Sequence, residues 1–422
     1  MNIKRRYIPW HALCLLVLLA FSLQSCLGIG GSSGNFNTKT SGNGSVIGVN
    51  NQALFKGHIY FTQNRHLFVI DGSRNITQLT TTGDVRDPAV SPDGKWIAFI
   101  NRYYDYSNLE YMSTSGGPWH ILMNGFGFFH PNGNNAPQAT QHWFAQPSWS
   151  PDGKTIIFLS DLQKLYYWAN YQYGDLGQDF DQSPFLDMQV FYIPFKPSEP
   201  QFSNDVVMNN NLVALASYGD GGDRDPSFRP NTGSLNQIIY THYTYDSSRT
   251  QQLIQIFMED PYAIKNNPQI HYHPGDPGQE FSPGIAITPP SIATPNIEPA
   301  FSPDGKHIAY IREISSTQMG LYVMPTPPSN VTAVPSNSTV ENQALQAYKQ
   351  SKLLVEGEFV SQPVWSPDGT QIAYLFYANN QFNIWIANLS YNAKTNSYSV
   401  NGSLVPLTSG GVDADSRPDW TS

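Results

Sequence analysis

Six residues of this chain share a position that could bring their side chains together, because each stands directly before the proline of a repeated phrase. These six, called the rim residues below, are Asp87, Gln146, Asp225, Glu298, Gln362 and Arg417. Converging carboxylates suit Ca²⁺, which prefers oxygen ligands, and a carboxylate can also hold an amine of a partner. Two carboxyl groups about 5 to 10 Å apart could act as acid and base on a glycoside. The simpler alternative is that these side chains cap turns and pair Asp with Arg between neighbouring repeats.

Charged residues crowd three of the segments that lead to a rim residue, in residues 84–87, 220–225 and 413–417. Their side chains could pair between repeats, hold a Ca²⁺ ion, or capture an amine or Lys of a partner. The spacing typical of an EF-hand is absent, so the sequence leaves the metal undetermined. We therefore expect a ligand-binding channel mouth at the rim residues, with no cofactor and with Ca²⁺ as the one ion to consider.

Two long segments place aromatic residues near the same mouth, in residues 124–145 and 160–187. Aromatic rings stack on sugar faces or pack against peptide side chains while their polar atoms stay hydrated. The candidate ligand-binding residues in these segments are Phe129, His130, His142, Trp143, Tyr167 and Trp168. The alternative is that the two segments bury their rings in a small satellite core, and the sequence does not decide between these readings.

The repeated phrase predicts the elements that must position these residues. It consists of a proline, a small residue, an aromatic or branched residue and usually Ser-Pro-Asp-Gly. Its six copies start at Pro88, Pro147, Pro226, Pro299, Pro363 and Pro418. In Ser-Pro-Asp-Gly the proline presets φ and the glycine supplies a positive φ, which is typical of a tight turn. Short β-branched and aromatic runs follow, so the phrase predicts a hairpin within a four-stranded antiparallel meander.

The proline that opens each phrase removes a backbone donor and is tolerated on an edge strand. An innermost strand facing an axial channel has such an edge, which favours a β-propeller. The segment before Pro88 supplies three strands of a meander but lacks the strand that carries the phrase. Residues 418–422 supply such a phrase strand but lack the three strands that should follow it. The sequence therefore predicts an all-β, six-bladed β-propeller of four-stranded antiparallel blades over residues 57–422, closed by the C-terminal strand joining the N-terminal blade.

The Pro-x-Trp-Ser-Pro-Asp-Gly copies at residues 147–153 and 363–369, and the Ile-Ala-Phe or Ile-Ala-Tyr that follows several copies, resemble the repeats of TolB-like β-propellers. The resemblance spans residues 57–422. It implies the fold rather than a function, because such propellers include protein-binding periplasmic subunits, caps of prolyl oligopeptidase-type enzymes and surface proteins. Only about thirty residues separate Cys26 from the first predicted strand, so we expect no separate domain like that of periplasmic TolB, and no hydrolase domain.

The N-terminal residues resemble an export signal. Residues 1–25 combine basic residues at 4–6 with an apolar stretch, which predicts a signal peptide. Leu-Gln-Ser-Cys at 23–26 resembles a bacterial lipobox, so Cys26 is the predicted lipidation site; an ordinary signal peptide or a membrane anchor is the alternative. Residues 26–56 then form a lipidated Cys and a flexible Gly/Ser/Asn tether. We expect an extracytoplasmic protein that is lipid-anchored to the bacterial cell membrane or envelope.

The chain is acidic. Its formal net charge is −9, and removal of residues 1–25 takes away three basic residues and no acidic one, leaving −12. Such a chain lacks the electrostatic footprint of nucleic-acid binding. We therefore expect a monomeric, membrane-tethered, non-enzymatic binding module for a protein, peptide or glycan. The alternative is an exported carbohydrate-active or other enzyme that uses Asp87, Asp225 and Glu298, with His142 nearby.

Overall fold

The computed structural model describes residues 36–40, 46–129, 138–162, 187–197, 212–214, 221–230, 237–246, 248–260, 285–289, 294–328 and 338–422. Within these ranges the regular structure consists of thirty β-strands and one α-helix, so the fold is all-β as predicted. The part of the chain described here contains no helix with the length and hydropathy needed to span a bilayer.

The N-terminal sheet was not predicted. Its three strands are β1 (Phe36–Thr40), β2 (Val46–Asn50) and β29 (Thr408–Ser409). Residues 26–56 were predicted to be a flexible tether, but residues 36–40 and 46–50 of this range form strands. The prediction of six blades is wrong, because seven sheets of three or more strands form in the described residues. The physical reason is a short apolar pattern within a Gly- and Asn-rich segment: Ile47 and Val49 are each 1% exposed and pack in a core with Leu407.

Six further sheets each contain one phrase strand, and their strands pair antiparallel. Sheet 1 consists of β30 (Asp419–Thr421), β3 (His58–Gln63), β4 (His66–Asp71) and β5 (Ile76–Gln78). Sheet 2 consists of β6 (Val85–Val90), β7 (Trp96–Arg102), β8 (Ser107–Ser113) and β9 (His120–Met123). Sheet 3 consists of β12 (Phe144–Trp149), β13 (Thr155–Ser160), β14 (Gln189–Pro194) and β15 (Leu212–Ala214).

The second half of the chain repeats this arrangement. Sheet 4 consists of β16 (Asp223–Phe228), β17 (Ile238–Tyr245), β18 (Gln252–Glu259) and β19 (Ile285–Ala286). Sheet 5 consists of β20 (Asn296–Phe301), β21 (His307–Ser315), β22 (Gln318–Pro325) and β23 (Lys352–Gly357). Sheet 6 consists of β24 (Val360–Trp365), β25 (Gln371–Ala378), β26 (Gln381–Asn392), β27 (Ser397–Val400) and β28 (Val405–Pro406). Outside these sheets lie a hairpin and a helix: β10 (Phe126–Phe129), β11 (Gln138–Gln141) and α1 (Ser338–Lys349).

The strand pairing in sheet 1 joins the two ends of the described chain. Strand β30 pairs with β3, with Ile59 opposite Trp420 and Tyr60 opposite Asp419. The indole N–H of Trp420 also donates to the backbone carbonyl of Lys56 at 2.8 Å. The six phrase strands contact one another in the order β6, β12, β16, β20, β24 and β30, and β30 contacts β6. The sheets are therefore arranged in the manner of a β-propeller, and the space between the phrase strands is called the channel below.

The Ser-Pro-Asp-Gly turns adopt the predicted geometry. In the copy that follows β6, the N–H of Gly94 donates to the carbonyl of Ser91 at 2.8 Å, and Gly94 has φ of 70°. The Ser91 hydroxyl donates to Asp93, whose carboxylate also accepts the N–H of Lys95. The copies at residues 150–153, 302–305 and 366–369 repeat these bonds. The positive φ explains why each of these turns ends in glycine.

The hydrophobic core is divided into clusters that lie between successive sheets. Trp149 of sheet 3 packs with Ala98 and Tyr111 of sheet 2, and its indole N–H donates to the carbonyl of Ala89 at 2.8 Å. Trp365 of sheet 6 donates in the same way to sheet 5. The two indoles are 7% and 4% exposed, so both are buried anchors between sheets.

Candidate functional site

Five of the six rim residues share a backbone conformation that the sequence did not predict. Their φ angles are 50°, 48°, 56°, 54° and 50° at Asp87, Gln146, Asp225, Glu298 and Gln362. A non-glycine residue in this left-handed region costs roughly 1 to 2 kcal/mol. In each phrase strand the pairing with the next strand skips the rim residue and its proline, so the pair forms a β-bulge. A bulge re-aims side chains, and here it frees them to reach the neighbouring phrase strand.

The rim side chains hydrogen-bond to one another's backbone. Asp87 Oδ2 accepts the N–H of Gln146 at 3.2 Å, and Gln146 Oε1 accepts the N–H of Asp225 at 2.7 Å. The Gln146 amide also donates to Asp225 Oδ1 at 2.7 Å. Glu298 Oε2 accepts the N–H of Gln362, and the Gln362 amide donates to Glu298 Oε1 at 3.3 Å. We call this chain of bonds the belt; it offsets the cost of the left-handed backbone.

One link of the belt runs through a residue outside the rim. The hydroxyl of Thr241 on β17 donates to Asp225 Oδ2 at 3.2 Å and accepts the N–H of Glu298 at 3.0 Å. This relay joins sheets 4 and 5, where Asp225 does not reach the next rim backbone directly. Thr241 is fully buried, which a strand hydroxyl tolerates when both its donor and its acceptor functions are used.

Arg417, the sixth rim residue, makes contacts of a different kind. Its backbone N–H donates to Asp87 Oδ1 at 3.0 Å, while the N–H of Asp87 donates to Ser416 Oγ at 2.9 Å. Its guanidinium donates to the carbonyls of Pro147 at 3.1 Å and Pro226 at 3.4 Å. These prolines lie on sheets 3 and 4, and sheet 4 is three places from sheet 1 in the order of contacting phrase strands. The Arg417 side chain therefore crosses the channel.

The rim carboxyl groups hold their protons more tightly than usual. Burial raises the pKa of Asp87 and of Asp225, and hydrogen-bond donors and the Arg417 charge offset part of each rise. Burial also raises the pKa of Glu298 to about 8, with repulsion from Asp225 as the second cause. Arg417 lies close enough to favour the ionised form of all three. Arg102 also favours the ionised form of Asp87, and Arg224 that of Asp225, so Arg417 is one of three guanidinium groups near the rim carboxyl groups.

A cavity of about 760 Å³ occupies the channel between Arg417 and the Ser-Pro-Asp-Gly turns. All six phrase strands contribute to its walls, which consist of prolines, small residues and aromatic rings. Arg417 is the one rim residue among those that line it. From the sequence we predicted a binding mouth at the rim residues. In the structure the rim residues form the belt, and the cavity lies at the opposite end of the phrase strands.

Asp419 lines the cavity, and the sequence reasoning missed it. Its carboxylate accepts the N–H of Val90 at 2.7 Å and that of Trp420 at 2.8 Å, and burial raises its pKa. At the equivalent position the other five phrases carry Ala89, Ser148, Ser227, Ala300 and Val364. A comparison of the repeats could have found Asp419, because it places a charge where every other copy has a small or apolar residue.

Two of the three charged segments beside the rim, residues 84–87 and 413–417, pair with each other. The Arg86 guanidinium contacts Asp413 at 2.6 Å, Asp84 at 3.0 Å and Asp415 at 3.4 Å. Asp415 also contacts Arg102 at 2.7 Å. These contacts join the segment before β30 to sheet 2, which favours the pairing interpretation over a ligand site here. Within the part of the chain that the structure describes, no three His, Cys, Asp or Glu side chains are grouped as metal ligands, so no such set is found there for Ca²⁺.

The predicted aromatic wall is only partly described. Phe129 ends strand β10, while His130, Tyr167 and Trp168 lie outside the described residues, as does Cys26. His142 is 2% exposed, and its Nδ1 lies 3.3 Å from Asp161 Oδ1. Trp143 is half-buried and packs against the core between sheets 3 and 4. For these two residues the positions favour the satellite-core alternative.

Comparisons with known proteins show distant similarity. No family model matches the chain. A 250-residue segment, 57% of this chain, is 22% identical to the uncharacterized peptidase YuxL of Bacillus subtilis (strain 168), and the chain spans about a third of that protein, 31% of its length.

Among solved structures, TolB from Acinetobacter baumannii is similar at 15% identity and a TM-score of 0.49, covering 86% of this chain and 66% of that one. An oligogalacturonate lyase in complex with manganese is similar at 11% identity and a TM-score of 0.42, covering 86% and 83%. Likeness at these levels does not identify a function.

Proposed function

We propose that this protein is an extracytoplasmic, non-enzymatic binding module whose channel cavity receives part of a protein, peptide or glycan ligand. The observation that carries the proposal is the contrast between the belt and the cavity. The belt side chains of Asp87, Gln146 and Asp225 already bond to neighbouring strands. The cavity, at about 760 Å³, has the size of ligand-binding pockets, and its lining combines polar groups with prolines and aromatic rings.

We also propose that the phrase strands belong to one closed ring, which β30 closes by joining the N-terminal strands. The pairing of β30 with β3 and the cyclic contacts of the phrase strands support this closure. A closed ring makes the cavity rigid, because every wall is a sheet packed on both sides. Rigid walls reduce the entropy lost when a ligand binds.

Lipidation at Cys26 and monomeric propellers are part of the same proposal. The motif at residues 23–26 and the apolar stretch before it support export and anchoring. The full-length chain should then fractionate with membranes, and Cys26→Ala should lose both the lipid and that association. Recovery of the variant in the membrane fraction would argue against a lipid anchor.

One observation favours the alternative of an exported enzyme. The carboxyl groups of Asp225 and Glu298 influence each other, and Glu298 has a pKa of about 8, as a general acid at neutral pH would need. Both groups, however, are hydrogen-bonded within the belt, and Arg417 separates them from the cavity. Turnover of a polysaccharide or peptide that is lost in Asp225→Asn would establish the enzymatic function.

The binding function is tested by filling the cavity. Labelled full-length protein is applied to peptide and glycan arrays, and so is Ser148→Trp, which places a large ring in the cavity wall. The matched control is Ser399→Trp, at an exposed position of β27 far from the channel. We expect ligands that bind the parent and the control but not Ser148→Trp. Equal binding by all three proteins would overturn the cavity as the binding site.

A further inference from the structure

We propose that the cavity binds a positively charged side chain, Lys or Arg, of a peptide segment, with Asp419 as its counter-ion. The inference rests on the proposed function and names the ligand class for the same cavity. It identifies the partner as a protein with an accessible basic peptide segment.

The charges around the cavity favour a cation. The charged side chains in its lining are Asp93, Arg417 and Asp419. Arg417 lies near the three rim carboxyl groups and near Asp419, and its guanidinium donates to two carbonyls, so its positive charge is divided among several partners. Asp93 lies at the turn end and is largely exposed. The other carboxylate of the lining is that of Asp419, which is half-buried and would repel a carboxylate or phosphate.

Asp419 keeps room for a further donor. An ionised carboxylate has about four lone-pair sites. The two backbone N–H groups of Val90 and Trp420 use one site on each oxygen. An ammonium or guanidinium in the cavity can therefore bond to Asp419 without displacing either backbone donor. A charge-assisted bond of this kind is about twice as strong as a neutral one.

The walls suit the rest of such a ligand. Phe228, Phe301 and Trp365 contribute apolar surface to the lining, together with the phrase prolines. The methylene stem of Lys or Arg packs on such surface while its charged end reaches a polar partner, and aromatic faces attract cations. A volume of about 760 Å³ also accommodates backbone on either side of the side chain.

The test uses three capped tripeptides that differ only in the central residue: acetyl-Ala-Lys-Ala-amide and its norleucine and glutamate counterparts. Binding to the full-length protein is followed by tryptophan fluorescence, because Trp149, Trp365 and Trp420 line the cavity. We expect the lysine peptide to bind at least about tenfold more tightly than the other two. Asp419→Asn should remove that preference, whereas Asp93→Asn, the same change at the exposed turn end, should keep it.

The outcomes separate the inference from the proposed function. If the lysine and norleucine peptides bind equally, or if Asp419→Asn keeps the preference while Ser148→Trp abolishes binding, the cavity binds ligands but the choice of a cation is wrong. If Ser148→Trp leaves all binding unchanged, both the cavity and the inference fail. Circular dichroism of Asp419→Asn distinguishes a lost ligand contact from a lost fold.

Discussion

The two ends of the channel are built from the same six phrase strands but use them differently. At the rim end, strained backbone turns polar side chains toward their neighbours, and the belt pairs them with backbone N–H groups. At the turn end, prolines, small residues and rings leave an open cavity with one half-buried carboxylate, Asp419. We infer from this contrast that a ring of carboxylates can be structural, and we propose that the binding surface lies at the turn end, where the repeat carries mostly prolines and small residues.

The largest expected effect is a loss of stability on removal of a buried ring that packs between two sheets. Trp149→Ala should destabilise the protein by roughly 3 to 5 kcal/mol, because it removes a buried ring between sheets 2 and 3 and leaves a cavity. Urea unfolding at equilibrium measures this. The control is Trp119→Ala, which removes a half-buried ring and should cost clearly less. A loss under about 1 kcal/mol for Trp149→Ala would mean that the sheets do not depend on these anchors.

The next largest expected effect is the loss of stability on removal of the Arg417 guanidinium, which lies between the rim end and the turn end of the channel. Arg417→Met should cost roughly 3 kcal/mol, because it removes the stronger of the two cationic influences on buried Asp87 and on buried Asp225. Arg65→Met removes a largely exposed guanidinium from its ion pair with Asp84 and should cost less than about 1 kcal/mol. Equal losses in the two variants would show that Arg417 does not balance the belt carboxyl groups.

The belt end also predicts a pH dependence of stability. The pKa of Glu298 is raised from 4.5 to about 8, so the folded state binds this proton more tightly than the unfolded state. Its contribution to stability is present below pH 4.5 and is lost as pH rises toward about 8. The melting temperature should therefore fall over this range, and it should fall less in Glu298→Gln, which cannot ionise. Parallel curves for the two proteins would contradict the assignment.

The smallest effects test the turn end. Gly94 has φ of 70° and open space around its position, so Gly94→Ala should cost only the backbone strain, about 1 kcal/mol. At Gly305 the added Cβ would lie 2.6 Å from the carbonyl oxygen of Pro230, and the cost should be larger. Thermal unfolding of the two variants side by side measures the difference. If Gly94→Ala and Gly305→Ala lower the stability equally, the contact of the added Cβ with Pro230 does not determine the size of the loss.

Local chemistry made much of the fold predictable from the sequence. The Ser-Pro-Asp-Gly turns and the strands after them follow from proline, glycine and β-branched residues acting over a few positions. The pairing of Trp420 with the first strands follows instead from the incomplete repeats at the two ends of the repeated region. The N-terminal sheet was missed because glycine and asparagine dominate its segment, while only Ile47 and Val49 carry the apolar signal.

The site was less predictable, because its decisive features are non-local. The residue before a proline normally stays extended, so nothing in the sequence announces the left-handed φ of Asp87 or Gln146. The reach of Arg417 across the channel depends on the arrangement of all six sheets. The role that we propose for Asp419 depends on the position of Arg417, whose charge is divided among several carboxyl groups.

The most direct measurement is a crystal structure of the full-length protein with acetyl-Ala-Lys-Ala-amide. We predict that the peptide lies between the phrase strands on the turn side of Arg417, with the lysine ammonium about 3 Å from an oxygen of Asp419. A peptide bound at the rim end, or on the outer surface of the sheets, would contradict the assignment of the cavity as the binding site.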